Sequence, residues 1–198
     1  MPHNEKLEIA NSIEKMVLPR DTDPDRSVFP FSYLQDEERD IYTEAFDGSK
    51  QFLHLLEELG IEGDWDTILH STGVARLVAK FVASEAGHTD EQRVAMVRMA
   101  LYHDIGKIVV PTEVLNKPDL LTPKEFHLVK LHSLDGYLRI FRYVPHEAAL
   151  AILFHHRFQS NPYPLEFQID ALFPTGIDVP TRDLAMKYAS AVAIADQA

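Results

Sequence analysis

The sequence predicts an all-α fold, and three observations carry that prediction. Apolar residues recur at helical spacing in nearly every segment after Glu37, helix start and stop signals are frequent, and no alternating strand pair or internal repeat occurs. The first clear helix carries Ile41, Ala45, Phe52, Leu55, Leu56 and Leu59 on one face, and Gly60 to Gly63 end it. A second, over residues 67–86, places Val74, Leu77, Val78, Phe81 and Val82 on one side. Asp90 is expected to cap a third through Val94, Val97 and Leu101 toward Asp104.

The next helix has the clearest start. Thr122 reads as the N-cap, Pro123 as the first helical residue and Glu125 as the partner of a capping box. Its pattern continues through Phe126, Val129 and His132 to about Ile140. Another helix is expected from about Pro145 to about His156, and Thr181 is expected to cap a last one through Ala185, Tyr188, Val192 and Asp196. Residues 158–180 hold four prolines and read as a loop over a site. Before all of these, residues 5–17 have weak helical periodicity and 19–30 read as a linker. The expected organisation is an N-terminal helical extension or small regulatory region over 1–60 and a main domain over 61–198.

Composition narrows the function. The 198 residues are 45% hydrophobic, as a soluble core requires. Their longest apolar runs, 148–154 and 189–195, fall far short of the roughly 20 residues of a membrane span. No basic stretch followed by an apolar one opens the chain, and there is no cysteine, so a cytoplasmic address is expected. A net charge of -12 argues against binding a nucleic-acid polymer. It leaves a phosphate ester open as substrate, because bound divalent cations reverse the field of an acidic site.

The ten histidines are the unusual feature. A lone histidine on a helix is more often a surface or satisfied core residue, so His3, His54, His88, His127 and His146 stay unassigned. Five others form an ordered set with two aspartates: His70, His103, Asp104, His132, His155, His156 and Asp196. Imidazole and carboxylate without thiolate suit Mn, Fe, Ni or Zn. Adjacent helical residues point about 100° apart, so His103 and Asp104 can share an ion only at a helix end or bend, which Gly106 supplies. Asp104, with two oxygens, is the natural bridge between two cations, the arrangement that activates a water and neutralises a phosphoryl group.

The surrounding words resemble a known family. His103-Asp104-Ile105-Gly106-Lys107-Ile108 is similar to the signature of the HD phosphohydrolase superfamily in its HD-GYP form. The likeness continues through Pro111, Val114-Leu115, Lys117-Pro118, Leu121-Thr122, Glu125-Phe126, Lys130, His132 and Gly136. His155-His156-Arg157 with Pro162-Tyr163-Pro164 resembles the paired histidines and the GYP tripeptide, and Ala193-Ile194-Ala195-Asp196 resembles the last metal-ligand helix.

The resemblance covers about residues 64–198 and implies an HD-domain helical bundle. It further implies metal ligation by the seven residues above, and contact between Lys107 and the scissile phosphate. Asp66 stands where some members place a glutamate for a third ion. The cofactors implied are two divalent transition metals, Fe or Mn, with a third if Asp66 ligates. The implied activity is hydrolysis of a cyclic dinucleotide, cyclic di-GMP, with Asp104 and Lys107 catalytic, and Lys107, Arg157 and Tyr163 contacting substrate. A homodimer is compatible with the chain.

The sequence departs from the family in four places. Arg157 follows the paired histidines where a glutamate is usual, Pro162 replaces the glycine of GYP, Asp119 replaces a common glycine, and the chain stops at Ala198, which suggests a fragment. Alternative readings are an HD phosphohydrolase for another nucleotide or phosphate ester, a di-iron oxygenase, and a degenerate nucleotide-binding signalling domain.

Overall fold

The computed structural model describes residues 33–47, 57 and 65–197. These form nine α-helices and one 3-10 turn, with no strand among the described residues. The all-α expectation holds. The weak helical periodicity over 5–17 and the linker over 19–30, the face continued through Phe52 to Leu59, and the expected boundary near residue 60 lie outside the described residues. The chain divides into two compact units, 1–101 and 102–198.

In the first unit, α1 (Asp36–Asp47) packs on α2 (Trp65–Ser84). Acidic Asp36, Glu37 and Glu38 occupy the first turn of α1, where the helix dipole favours them. Tyr42, Ala45 and Phe46 line its buried face, and Val74, Val78 and Val82 line that of α2. Arg76 is fully buried with its guanidinium 5.7 Å from the Tyr42 ring. Arg98 of α3 (Asp90–Tyr102) donates to the Ala45 carbonyl at 3.2 Å. The cap of α3 is Thr89 rather than the expected Asp90. Its hydroxyl accepts from Gln92 N at 3.3 Å while Gln92 Oε1 accepts from Thr89 N at 3.2 Å. A reciprocal pair displaces the lone carboxylate one residue later.

The second unit begins where α3 ends. A 3-10 turn, η1 (Ile105–Val109), and a short α4 (Thr112–Leu115) lead to α5 (Pro123–Lys130), α6 (His132–Ile140), α7 (His146–Phe154), α8 (Glu166–Leu172) and α9 (Val179–Asp196). Every residue of α7 from Ala148 to Phe154 is buried, as an all-round apolar helix must be. It packs against both α6 and α9, and α6 also packs against η1. The capping box of α5 forms as the sequence requires: Glu125 N donates to Thr122 Oγ1 and Thr122 N to Glu125 Oε2, at 3.3 and 2.7 Å.

Three expectations are corrected here. The single helix expected through Ile140 is two, broken at Leu131. Residues 158–180 are less loop-rich than expected, since α8 lies within them. The last helix starts at Val179, its N-cap Asp178 accepting from Thr181 N at 3.0 Å, because Pro180 fits the first turn and pushes the cap upstream of Thr181.

Candidate metal centre

His103 and Asp104 follow the end of α3 in a turn, and η1 begins at the next residue. The bend expected at Gly106 is therefore present, and Asp104 adopts φ -99°, ψ 5°, between the helical and extended regions. Gly106 is there because nothing larger fits: a Cβ would lie 1.9 Å from the His132 carbonyl oxygen and 2.5 Å from Gly136 N. This close approach seats the Asp104 turn on the first residue of α6.

Around that contact the second unit gathers its ligand atoms. His132 Nε2 lies 3.2 Å from His155 Nε2 and 3.1 Å from His156 Nε2. Asp104 turns Oδ1 to His132 Nε2 and Oδ2 to His103 Nε2, both at 3.3 Å. Asp196, from the last turn of α9, brings Oδ1 to 3.5 Å from His103 Nε2. Asp104, His132, His155 and His156 each offer a ligand atom within 4.8 Å of the others. Lys107 Nζ sits 2.6 Å from Asp104 Oδ2.

Tautomers settle what this cluster suits. His132 Nδ1 donates to the Val129 carbonyl at 2.5 Å, and His155 Nδ1 to the Ile152 carbonyl at 2.6 Å. A carbonyl only accepts, so each Nδ1 carries the hydrogen and each neutral ring presents a bare lone pair at Nε2. Two lone pairs facing at 3.2 Å repel, and a cation between them resolves the repulsion. A metal-ligating histidine commonly donates its other ring N–H to a carbonyl in this way, which fixes the tautomer and the ring orientation.

The electrostatics agree. Burial pushes His155 down to about 3, helped by the neighbouring His103 and His132. Burial likewise lowers His156 to about 3 and His132 to about 4, against the pull of the Asp104 charge. Neutral rings are the form that binds metal. Burial also acts to lower His103, but the Asp104 charge and the hydrogen bonds it donates to Asp104 and Asp196 outweigh it and raise His103 to about 10. Burial acts to raise Asp104, and His103 and Lys107 hold it well below the carboxylate range instead.

The remaining sequence candidates stand as follows. His70 is partly buried on α2, and Asp66 is exposed in the first turn of that helix. Both belong to the first unit, and their place in the ligand set rests on the sequence. Arg157 donates to the Pro164 carbonyl and to Glu166 Oε2, the latter at 2.8 Å. Tyr163 is buried and stacks on His156 with ring centroids 4.4 Å apart and planes at 28°. A cavity of about 500 Å³ opens beside it, lined by Lys130, Leu134, Pro162, Leu165, Phe167 and others.

Sequence reasoning missed the carbonyls of Val129 and Ile152, and it gave Lys130 no role beyond its place in the family motif. The carbonyls had a usable signal, since each stands three residues before its histidine in the last turn of a helix, where carbonyls lack helical partners.

Comparison with known proteins gives a consistent result. The family model of the HD domain matches residues 67–196. A cyclic di-GMP phosphodiesterase of Thermotoga maritima is 30% identical over 135 residues, 66% of this chain and 36% of that protein. The cyclic di-GMP phosphodiesterase response regulator RpfG of Xanthomonas campestris is 36% identical over 92 residues, 44% of this chain and 24% of its own. A 3'3'-cGAMP-specific phosphodiesterase 1 of Vibrio cholerae is 32% identical over 122 residues, 61% of this chain and 27% of its own. The chain thus spans about a quarter to a third of the length of these curated relatives. No solved structure matches it.

Proposed function

Because the chain belongs to the HD domain family, we propose that it is a metal-dependent phosphodiesterase of the HD-GYP type that hydrolyses a cyclic dinucleotide, cyclic di-GMP. The observation that carries this reading is the gathering of one ligand atom each from Asp104, His132, His155 and His156 within 4.8 Å of one another, with two of the imidazoles fixed by backbone carbonyls. Relatives named as cyclic dinucleotide phosphodiesterases support the substrate class.

In this reading His132, His155, His156 and Asp104 would hold one ion, and Asp104, His103 and Asp196 would serve a second, for which the sequence also offers His70. Fe or Mn suits such nitrogen and oxygen donors. When bound, the ions would supply an activated water and neutralise phosphoryl charge. Asp104, with one oxygen toward His132 and the other toward His103, would be the ligand common to both. Lys107, close to the Asp104 carboxylate and partly open to solvent, meets the charge that develops on the phosphoryl oxygens. Tyr163 and Arg157 border the substrate space. The reading carries with it a cytoplasmic location and leaves a homodimer open. Among the described residues no helix is long and apolar enough to cross a membrane.

Chromatography of cyclic di-GMP incubated with Mn- or Fe-loaded protein tests the reading. Linear dinucleotide or GMP is the expected product. A second reading, a nucleotide-binding signalling module, draws on Arg157, whose guanidinium is engaged by Pro164 and Glu166. Tight binding without turnover would favour it. Turnover of simple phosphate monoesters alone would point to another HD phosphohydrolase.

A further inference from the structure

The three clustered imidazoles are not held alike. His132 and His155 each donate Nδ1–H to a carbonyl three residues back. His156 Nδ1 is buried with no hydrogen-bonding partner among the described residues, although its Nε2 points at His132 Nε2 from 3.1 Å. Something else must orient this ring, because a ligand free to rotate about χ2 loses affinity through the entropy of fixing it.

We propose that Tyr163 is the positioning residue for His156, its ring doing for that imidazole what a backbone carbonyl does for the other two. The inference rests on the metal reading above. Stacking at 4.4 Å and 28° blocks rotation of the imidazole while leaving its in-plane lone pair clear. A second contact, edge-on to His132 at 6.1 Å, sets the phenol against both ligands. Coordination draws positive charge onto an imidazole, and the electron-rich face of an aromatic ring stabilises a neighbouring cationic group. The stack therefore strengthens on metal binding.

The tyrosine is itself anchored. Lys130 Nζ lies 5.3 Å from its ring centroid and 4.7 Å from that of Phe126, tying the loop to α5. On the other side in sequence, Arg157 follows His156 and donates to the carbonyl of Pro164, which follows Tyr163. Glu166 joins that clasp to Arg182 of α9. The two segments that meet in the stack are thus bound to each other a residue beyond it.

The test is Mn(II) titration of the chelator-stripped full chain, with electron paramagnetic resonance of the bound ions and a melting curve of each stripped protein. The wild type should take up two ions, and Y163F, which keeps the ring, should match it within about threefold. Y163L should weaken one of the two sites about 10–100-fold and leave the other unchanged. Y163M, which fills the space without a π face, should behave like Y163L and decides the matter if Y163L melts too early to measure. Wild-type affinity at both sites in Y163L or Y163M overturns the positioning role. Equal loss in Y163F also overturns it, because the ring survives there. A wild type that binds no Mn(II) overturns the metal reading and the inference with it, a result distinct from both.

Discussion

A Cβ placed on Gly106 would lie 1.9 Å from the carbonyl oxygen of His132, so the turn that carries Asp104 can sit where it does only without a side chain. Gly106→Ala must push η1 off α6 and draw Asp104 away from His132. Thermal unfolding should show a loss of about 3 kcal/mol, at the upper end for overpacking. Metal content should fall with it. Full metal occupancy in this variant would show that the close approach does not set the site.

Asp104→Ala is the second test, and it separates bridging from simple ligation. The two carboxylate oxygens face His132 and His103 at 3.3 Å each. A shared ligand predicts that both ions are lost together, read by elemental analysis after anaerobic loading with Fe or Mn. Retention of one tightly held ion would make Asp104 a ligand of one site only.

Much of this was legible in the sequence, and the misses have local causes. The histidines and aspartates stood out by residue type and order although they lie far apart in the chain, whereas the bend at Gly106 and the Thr122 capping box were readable because each depends on residues close in sequence. The HD-type identity is borne out by the family match over 67–196. The break at Leu131 was not readable, because the apolar pattern runs on through it while the backbone closes one helix and opens another. The caps at Thr89 and Asp178 were each displaced from the expected residue, since neighbouring polar side chains compete and reciprocity or a proline decides. The Tyr163 stack depends on how the loop folds back over α7, which no short-range pattern encodes.

Asp66 offers a third test. It is exposed in the first turn of α2, where the macrodipole favours an acidic side chain by a fraction of a kcal/mol, roughly 0.3–1. Asp66→Ala is expected to keep the wild-type metal count. A drop from three equivalents to two would assign it to a third ion.

The α5 cap predicts a pH effect of defined sign. The Lys117 hydrogen bond, with the Thr122 backbone N–H, holds the Glu125 carboxyl down at about 2 from its ordinary 4.5. A folded value below the unfolded one means full contribution above about 4.5, fading as pH falls toward about 2. The urea midpoint of stripped wild type should therefore exceed that of Glu125→Gln near pH 6, and the gap should narrow by pH 3. A gap independent of pH would leave the box without its charged component.

Lys107 gives the sharpest functional test, because its neighbour is a proposed metal ligand. Its Nζ is 2.6 Å from Asp104 Oδ2, with the side chain 23% exposed, so it meets the carboxylate while part of it stays open to solvent. Two roles follow from one position: orienting Asp104, or meeting charge on the phosphoryl group. Lys107→Met keeps the length and removes the charge. If the ammonium serves the phosphoryl group, metal content stays at the wild-type level and kcat for cyclic di-GMP falls about 10²–10³-fold, as for loss of one donor to developing charge. If it serves Asp104 instead, bound metal falls in step with activity. Arginine at this position should restore little, since its planar fork cannot stand in for a compact ammonium beside a carboxylate already shared with His103.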